Sequence, residues 1–416
     1  MKKILLTTLC LIGINFSNAQ TIIDTVSLGA GYANQKWYSL QNDEQGLAPK
    51  NNWDLAFDPS GFGTSIHINS VNGIMLWTYP QSDTSGWATV DTSGISTWKA
   101  KYNSDTSWVL GAFDKGAITS NANDVGWGIY NSITHIITGD SIFVIKLSNG
   151  SYKKLWIINA TGTAYNFKYA DLNGSNLQTQ VLNKSTYSNK NFGYFSIQNN
   201  TALDREPVVS ANWDLLFTQY TAFVPTPYTV SGVLSNKGVK VAQADNVSSP
   251  STFNNWFAQS YNTAIDGIGY DWKAFTSSWS IAQDTVYFVK SKTGDIWKLR
   301  FTGFGGGSNG NYIFSKEKLS TVGIKTNNEL NPAAVSIYPN PTAGNNVTVL
   351  YDLEKNYNTA ELSLIDITGK LITQETLNNT IGFYSHSINT QNLKPGVYVV
   401  SVKLNNSTIQ QKLIIN

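Results

Sequence analysis

The sequence predicts an all-β protein in which two related antiparallel β modules are followed by a small β-sandwich. Three observations carry that expectation. Apolar residues recur at every second position, as in Trp53, Leu55 and Phe57, or Val347, Val349 and Tyr351, which places them on one face of a strand. Turn-forming pairs close such runs at Asn149 and Gly150, Thr293 and Gly294, and Thr368 and Gly369. Helical periodicity longer than about two turns is not found.

Composition agrees with a folded chain. The 416 residues are 41% apolar and 12% aromatic but only 13% charged, against roughly 25% charged in an average soluble protein. Length allows about two to three domains, and Gly 33 and Pro 11 exclude a collagen-like repeat. The chain carries 29 Lys plus Arg against 27 Asp plus Glu, and two of the lysines, Lys2 and Lys3, lie in a leader. No net positive field remains for a nucleic-acid or phosphate partner.

The elements follow in order. Lys2 and Lys3, the apolar stretch from Ile4 to Ile14, and the small residues Ser17, Asn18 and Ala19 read as a secretory signal peptide over 1–19. Its apolar part is too short to span a bilayer of roughly 30 Å. Cys10, the only cysteine, falls inside that leader, so disulfides, thiolate metal sites and cysteine nucleophiles are excluded from the exported chain.

Two modules, 20–185 and 186–323, are marked by an internal repeat. Tyr38 to Asn42 returns as Phe195 to Asn199, Asn52 to Phe57 as Asn212 to Phe217, and Asp140 to Leu155 as Asp284 to Leu299, at offsets of 157, 160 and 144. The repeated acids Asp54 and Asp214 are expected to hydrogen-bond backbone at strand edges. A further hairpin is expected at Asn72 and Gly73, joining Thr64 to Val71 with Ile74 to Tyr79; it would set His67 opposite Thr78 and Met75 opposite Ser70. The glycine-rich run from Phe304 to Gly310 lacks a phosphate-loop lysine and reads as a hairpin turn. A polar linker, 324–334, leads to a last region, 335–416, where Leu362, Leu364 and Ile367 continue the alternation.

That last region carries a specific resemblance. Val335 to Thr342 (VSIYPNPT), Leu364 to Leu371 (LIDITGKL), Leu393 to Val400 (LKPGVYVV) and the ending Gln411 to Asn416 (QKLIIN) resemble the type A C-terminal sorting domain of the type IX secretion system. The resemblance implies a β-sandwich recognised by the outer-membrane secretion machinery, and a protein that is secreted, extracellular or attached to the cell surface. The aromatic-Ser-aliphatic and Trp-Asp-Leu-x-Phe strands of the two modules resemble the HmuY-like haem-binding proteins. That resemblance implies haem held between two axial side chains, usually histidines.

Candidate chemistry is sparse. Haem iron takes His or Met, and the two modules offer only His67, His135 and Met75. His67 alternates with Ser65 and Asn69 and is expected on a solvent-facing side of its strand. His135 shares a face with Ile133 and Ile137, matches Trp279 in the second copy, and is expected interior. Haem binding is therefore expected to be absent or weak. Trp77, Trp87 and Trp98 lie in a Ser, Thr and Gly-rich stretch and are candidates for a ligand-contacting surface; the alternative to a haem carrier is a structural or glycan-binding surface protein with no haem site. No catalytic arrangement and no metal site is legible, so a binding protein is expected rather than an enzyme.

Overall fold

The computed structural model describes residues 21–320, 333–353, 355–405 and 407–416; the expected leader and the linker up to residue 332 lie outside them. The chain opens with β1 (Ile22–Ser27), β2 (Asn34–Ser39) and β3 (Asp43–Pro49). Next come β4 (Leu55–Phe57), β5 (Ile66–Ile68), β6 (Met75–Thr78), β7 (Gly128–Asn131) and β8 (Ile136–Gly139). This first series ends with β9 (Phe143–Lys146), β10 (Tyr152–Ala160) and β11 (Ala164–Asp171).

A second series repeats the first strand for strand. It runs through β12 (Gln178–Asn183), β13 (Gly193–Ser196), β14 (Thr201–Leu203), β15 (Leu215–Phe223), β16 (Pro227–Ser235) and β17 (Lys240–Ala244). It closes with β18 (Lys273–Phe275), β19 (Trp279–Ile281), β20 (Val286–Lys290), β21 (Ile296–Phe304) and β22 (Asn311–Ser320). The turn at Asn149 and Gly150 sets Lys146 opposite Tyr152, and the turn at Thr293 and Gly294 sets Lys290 opposite Ile296 in the same register.

The copies exchange strands. β2 pairs with β15 and β13 with β4, so Tyr38 faces Leu215 as Phe195 faces Leu55. In the same way β1 seals β22, and β12 seals β11. One lobe is therefore continuous, β4 to β14, whereas the other is split between β1–β3 and β15–β22. Each lobe packs a four-stranded sheet, β14-β13-β4-β5 or β3-β2-β15-β16, on a larger one. Leu55, Phe57, Phe143, Tyr165 and Phe167 lie in the continuous core, and Tyr38, Phe217, Trp272, Tyr312 and Phe314 in the split one. Burial of these large side chains supplies the main driving force for each lobe.

One expected hairpin does not form. β5 pairs with β4 and β6 pairs with β9, so His67 faces Ala56 rather than Thr78, and Met75 faces Lys146 rather than Ser70. Between them a 3-10 turn, Ser70–Asn72, ends at Gly73 with φ 79° and carries the chain from one sheet to the other. Positive φ is a conformation that glycine adopts at little cost. The glycine-rich run does close a hairpin, β21 to β22, through a single helical turn at Gly306–Asn309.

The third unit is a β-sandwich of β23 (Ala333–Tyr338), β24 (Asn346–Leu353), β25 (Ala360–Asp366), β26 (Leu371–Thr376), β27 (Gly382–Asn389), β28 (Gly396–Leu404) and β29 (Ser407–Ile415). Val347, Val349, Tyr351, Leu362 and Leu364 fill its core. Ile367, by contrast, is exposed beside the Thr368 and Gly369 turn. Alternate residues of β24 point the other way: Leu350 is buried against Ala242, Val286, Phe288 and Trp256 of the split lobe, and Asp352 pairs with Lys290.

The matching face of the continuous lobe covers itself. There Trp77 and Tyr79 stand where the split lobe has Ala242 and Ala244, and Trp87 and Trp98 complete the cover. The two alanines leave the room that Leu350 fills. Leu350→Asp is expected to undock the sandwich, because it buries a carboxylate among aromatic rings. Small-angle scattering should then show a larger radius of gyration than for the wild type; an unchanged radius would refute the docking.

Candidate functional site

The outer sides of the two four-stranded sheets meet around a cleft. Trp37, Leu216, Tyr220 and Leu234 stand on the split-lobe side, and Ala56, Phe192 and Tyr194, with Trp53, on the continuous side. Trp108 packs against both clusters and donates its indole N–H to Ser235 O at 2.8 Å. It arrives on a segment that lies along the free edge of β5. Asn103 exchanges hydrogen bonds of 3.0 and 2.8 Å with the backbone of Ile68, as a neighbouring strand would. Gly111 approaches so closely that a Cβ there would fall 2.1 Å from Ile66 O, so only glycine fits.

A cavity of about 100 Å³ remains between the lobes. Its walls pair by the internal repeat: Trp53 with Trp213, Ala56 with Leu216, His67 with Leu234. Asn69, 1% exposed, donates its Nδ2 to Lys50 O at 2.8 Å and Trp53 O at 2.9 Å. Asn236 repeats that bond to Trp213 O at 2.7 Å. Three buried polar atoms of wall residues have no hydrogen-bond partner: Trp53 Nε1, Trp213 Nε1 and Asn69 Oδ1. Each of these atoms has almost no accessible surface, so they lie within the wall and not on the face of the cavity.

Titratable groups of this region are shifted by burial. Glu206 is pushed up to about 7 by desolvation; its two oxygens accept from Asn191 N–H and Tyr194 OH, both at 2.8 Å. Arg205 stacks its guanidinium over Tyr194 at 4.9 Å and bonds Asn52 Oδ1 and Pro49 O. Asp114 is pushed up to about 8 by burial while accepting from Gly111 N–H.

His67 is buried, not solvent-facing. All three residues of β5 are buried because its two sides meet the lobe core and the cleft. Desolvation holds its pKa down to about 4. Nε2 lies 3.0 Å from both Trp108 O and Ser65 Oγ, so this nitrogen is committed as a donor to the carbonyl. His135 is exposed rather than interior. It takes φ 56° in the turn between β7 and β8, which breaks the alternation that linked it to Ile137, and Nδ1 lies 2.6 Å from Tyr130 OH. Among the described residues the two histidines share no hydrogen-bond partner and no ring contact.

Trp77 is buried, and Trp87 and Trp98 are half-buried in the cover of the outer sheet. Lys154 and Lys168 lie over the Trp87 ring at 5.1 and 4.4 Å. These three tryptophans thus sit together, away from the cleft. Asp54 and Asp214 do bond backbone across the copies: Asp54 accepts from Gln198 N–H at 3.2 Å, and Asp214 from Leu40 N–H at 2.8 Å. Among the described residues no group of three or more His, Cys, Asp or Glu side chains is placed to hold a metal ion. Trp108, Asn69 and Glu206 were not legible as cleft residues; Arg205, one of two arginines in the chain, was the available signal.

Comparison with known proteins identifies the end of the chain. Residues 336–416 match the secretion system C-terminal sorting domain. The protein is therefore exported by type IX secretion and is secreted or attached to the cell surface. No curated protein matches the chain. Among solved structures it is similar to dimeric latent PorU from Porphyromonas gingivalis, at 8% identity and a TM-score of 0.19, covering 94% of this chain and 34% of that one. The chain spans about a third of the length of that structure, and the score is too low to carry a fold assignment.

Proposed function

We propose that the two lobes form a binding module delivered outside the cell, that the ligand enters the cleft between them, and that the ligand is not haem. The observation that carries this reading is the cavity between the lobes, walled by Trp37, Trp108 and Tyr220 with Asn103, Ser104 and Gln219 among its polar residues. Small-molecule sites combine apolar walls with a few convergent polar groups in this way. The same geometry argues against catalysis. Glu206, the cleft acid with a shifted pKa, has both oxygens occupied, and Asp105 accepts from Phe223 N–H.

Haem by HmuY-like resemblance finds no support in the histidines. His67 has committed Nε2, His135 lies in a distant turn, and Met75 packs with Trp77 in the outer cover. Titration of the purified protein with haemin is expected to give no sharp Soret band; a band that disappears in His67→Ala or His135→Ala would overturn this. For the cleft itself, thermal shift against monosaccharides, free amino acids and nucleosides should raise Tm for one class in the wild type. Leu216→Trp, which fills the cavity, should abolish that shift. A shift that survives Leu216→Trp, or none for any class, refutes the cleft reading.

A further inference from the structure

We infer that the outer face of the continuous lobe carries a second site, independent of the cleft, at which Lys146 and Lys168 take the acidic groups of a polysaccharide. β9, β10 and β11 are neighbours in that sheet, and their registers set Lys146 opposite Tyr152 and Lys168 opposite Trp156. Lys154 lies midway between Tyr152 and Trp156 on β10, so the three lysines form one diagonal row across three strands, in steps of roughly 7–8 Å. Lys154 is 1% exposed and donates to Trp87 O at 2.8 Å; it adds charge to the row but no contact. Lys146 and Lys168 are half-buried. The Lys146 ammonium lies over Tyr152 at 5.8 Å, and that of Lys168 over Trp87 at 4.4 Å and Trp156 at 4.6 Å. Charge and aromatic surface thus alternate along the row.

The row has no counter-charge. Among the described residues none of the three lysines forms an ion pair. Asp171 pairs with Lys153, on the other side of the sheet, and Asp83 and Asp91 accept the N–H groups of Ser85 and Ser93. The internal repeat shows what such a row takes. In the split lobe the matching lysines are Lys290 and Lys298. Lys298 pairs with Glu317 at 3.1 Å, where Lys154 faces Ala170. Lys290 takes Asp352, a carboxylate carried in by the sandwich. The sandwich of a second copy does not fit on the continuous lobe, because Trp77 and Tyr79 fill the space that Leu350 needs. The acid therefore comes from another molecule.

Geometry selects a polymer of sugars. Lys146 and Lys168 are two diagonal steps apart, roughly 15 Å, which a chain of repeating charges spans and one small anion does not. β9, β10 and β11 are each paired on both sides, so no free strand edge is offered to a peptide. The 29 Lys plus Arg of the whole chain nearly balance its 27 Asp plus Glu, so the wider field that nucleic acid binding draws on is missing. Sugar rings bring C–H faces that pack on Tyr152 and Trp156 beside the two ammoniums.

The test is biolayer interferometry of the full exported chain on immobilised polygalacturonate, dextran sulfate and uncharged dextran, at about 50 mM salt so that screening is weak. At least one charged polymer is expected to bind and dextran is not; which one binds separates a carboxylate from a sulfate source. Lys146→Gln and Lys168→Gln should each weaken binding about twofold to fivefold, and Lys168→Arg should retain it. Leu216→Trp, which fills the cleft, should leave it unchanged, so this site and the cleft stand or fall separately. Wild-type binding in both glutamine variants, or none to either charged polymer, overturns the site. Equal binding to dextran, polyglutamate or duplex DNA overturns the assignment to acidic polysaccharide.

Discussion

Leu28→Ala is expected to destabilise the lobe formed by β15 to β22, far away in sequence, by about 2–5 kcal/mol. Leu28 is fully buried in that core with Val233, Tyr312 and Phe314, and its N–H donates to Gly310 O at 3.0 Å. Lys316 fastens the same junction: its buried ammonium bonds Leu40 O at 3.1 Å and lies 4.8 Å from the Tyr38 ring centre. Alanine leaves a cavity that a sheet closed on both sides cannot collapse. Hydrogen exchange read by mass spectrometry should show faster exchange in β15–β22 and unchanged exchange in β4–β11. The mirror variant, Leu182→Ala, removes a buried residue of the strand that closes the continuous lobe and should give the opposite pattern. Faster exchange in β4–β11 on Leu28→Ala would refute the strand exchange.

Strand identity and duplication were legible because both are local. The run from Asp140 to Leu155 carries the same alternation and the same turn as Asp284 to Leu299, and β9–β10 and β20–β21 adopt one register. Which strand pairs with which is not local. Tyr38 and Phe195 look alike in sequence, and nothing in their spacing says that each completes the other copy's sheet. The edge strand β12, which closes the continuous lobe by pairing with β11, has Val181 exposed and only Leu182 in the core, too little to signal its partner in the sequence.

The cleft escaped the sequence for a related reason. Period two separates the faces of a strand but does not say that both are covered, and β5 is covered on both, which is why His67 read as exposed. Trp53 and Trp213 read as framework because they repeat, yet their place at the junction of two repeated sheets brings both to the wall of the cleft. The sorting domain was legible in full because its motifs sit in contiguous stretches that need no tertiary context.

At Asp114 and Glu206 burial outweighs the surrounding charges and hydrogen bonds, and this sets the pH response. Asp114, 7% exposed, holds its proton to about pH 8, whereas the unfolded chain releases it near 3.8. Stability from this group is full below that lower value and declines as pH rises, until the folded carboxyl itself ionises. Glu206 has the same sign, from 4.5 to about 7. His67 works the other way: its contribution is present above 6.5 and is lost as pH falls toward about 4. Lys273 and Lys184, pulled down to about 7 and about 8, are protonated in both states below roughly pH 6 and oppose the acids only above it. Two acids against one histidine leave a net loss between pH 5 and 6.5. Asp114→Asn keeps an oxygen for Gly111 N–H and removes one of those acids. Relative to wild type, the variant should therefore gain about 2–3 kcal/mol in unfolding free energy on going from pH 5 to pH 7, since a tenfold change in proton affinity between folded and unfolded chain is worth about 1.36 kcal/mol. Urea unfolding at the two pH values measures this directly. Parallel pH profiles for variant and wild type would show that Asp114 is ionised in the folded protein, and that the polar contacts around Gly111 and Ser65 outweigh its burial.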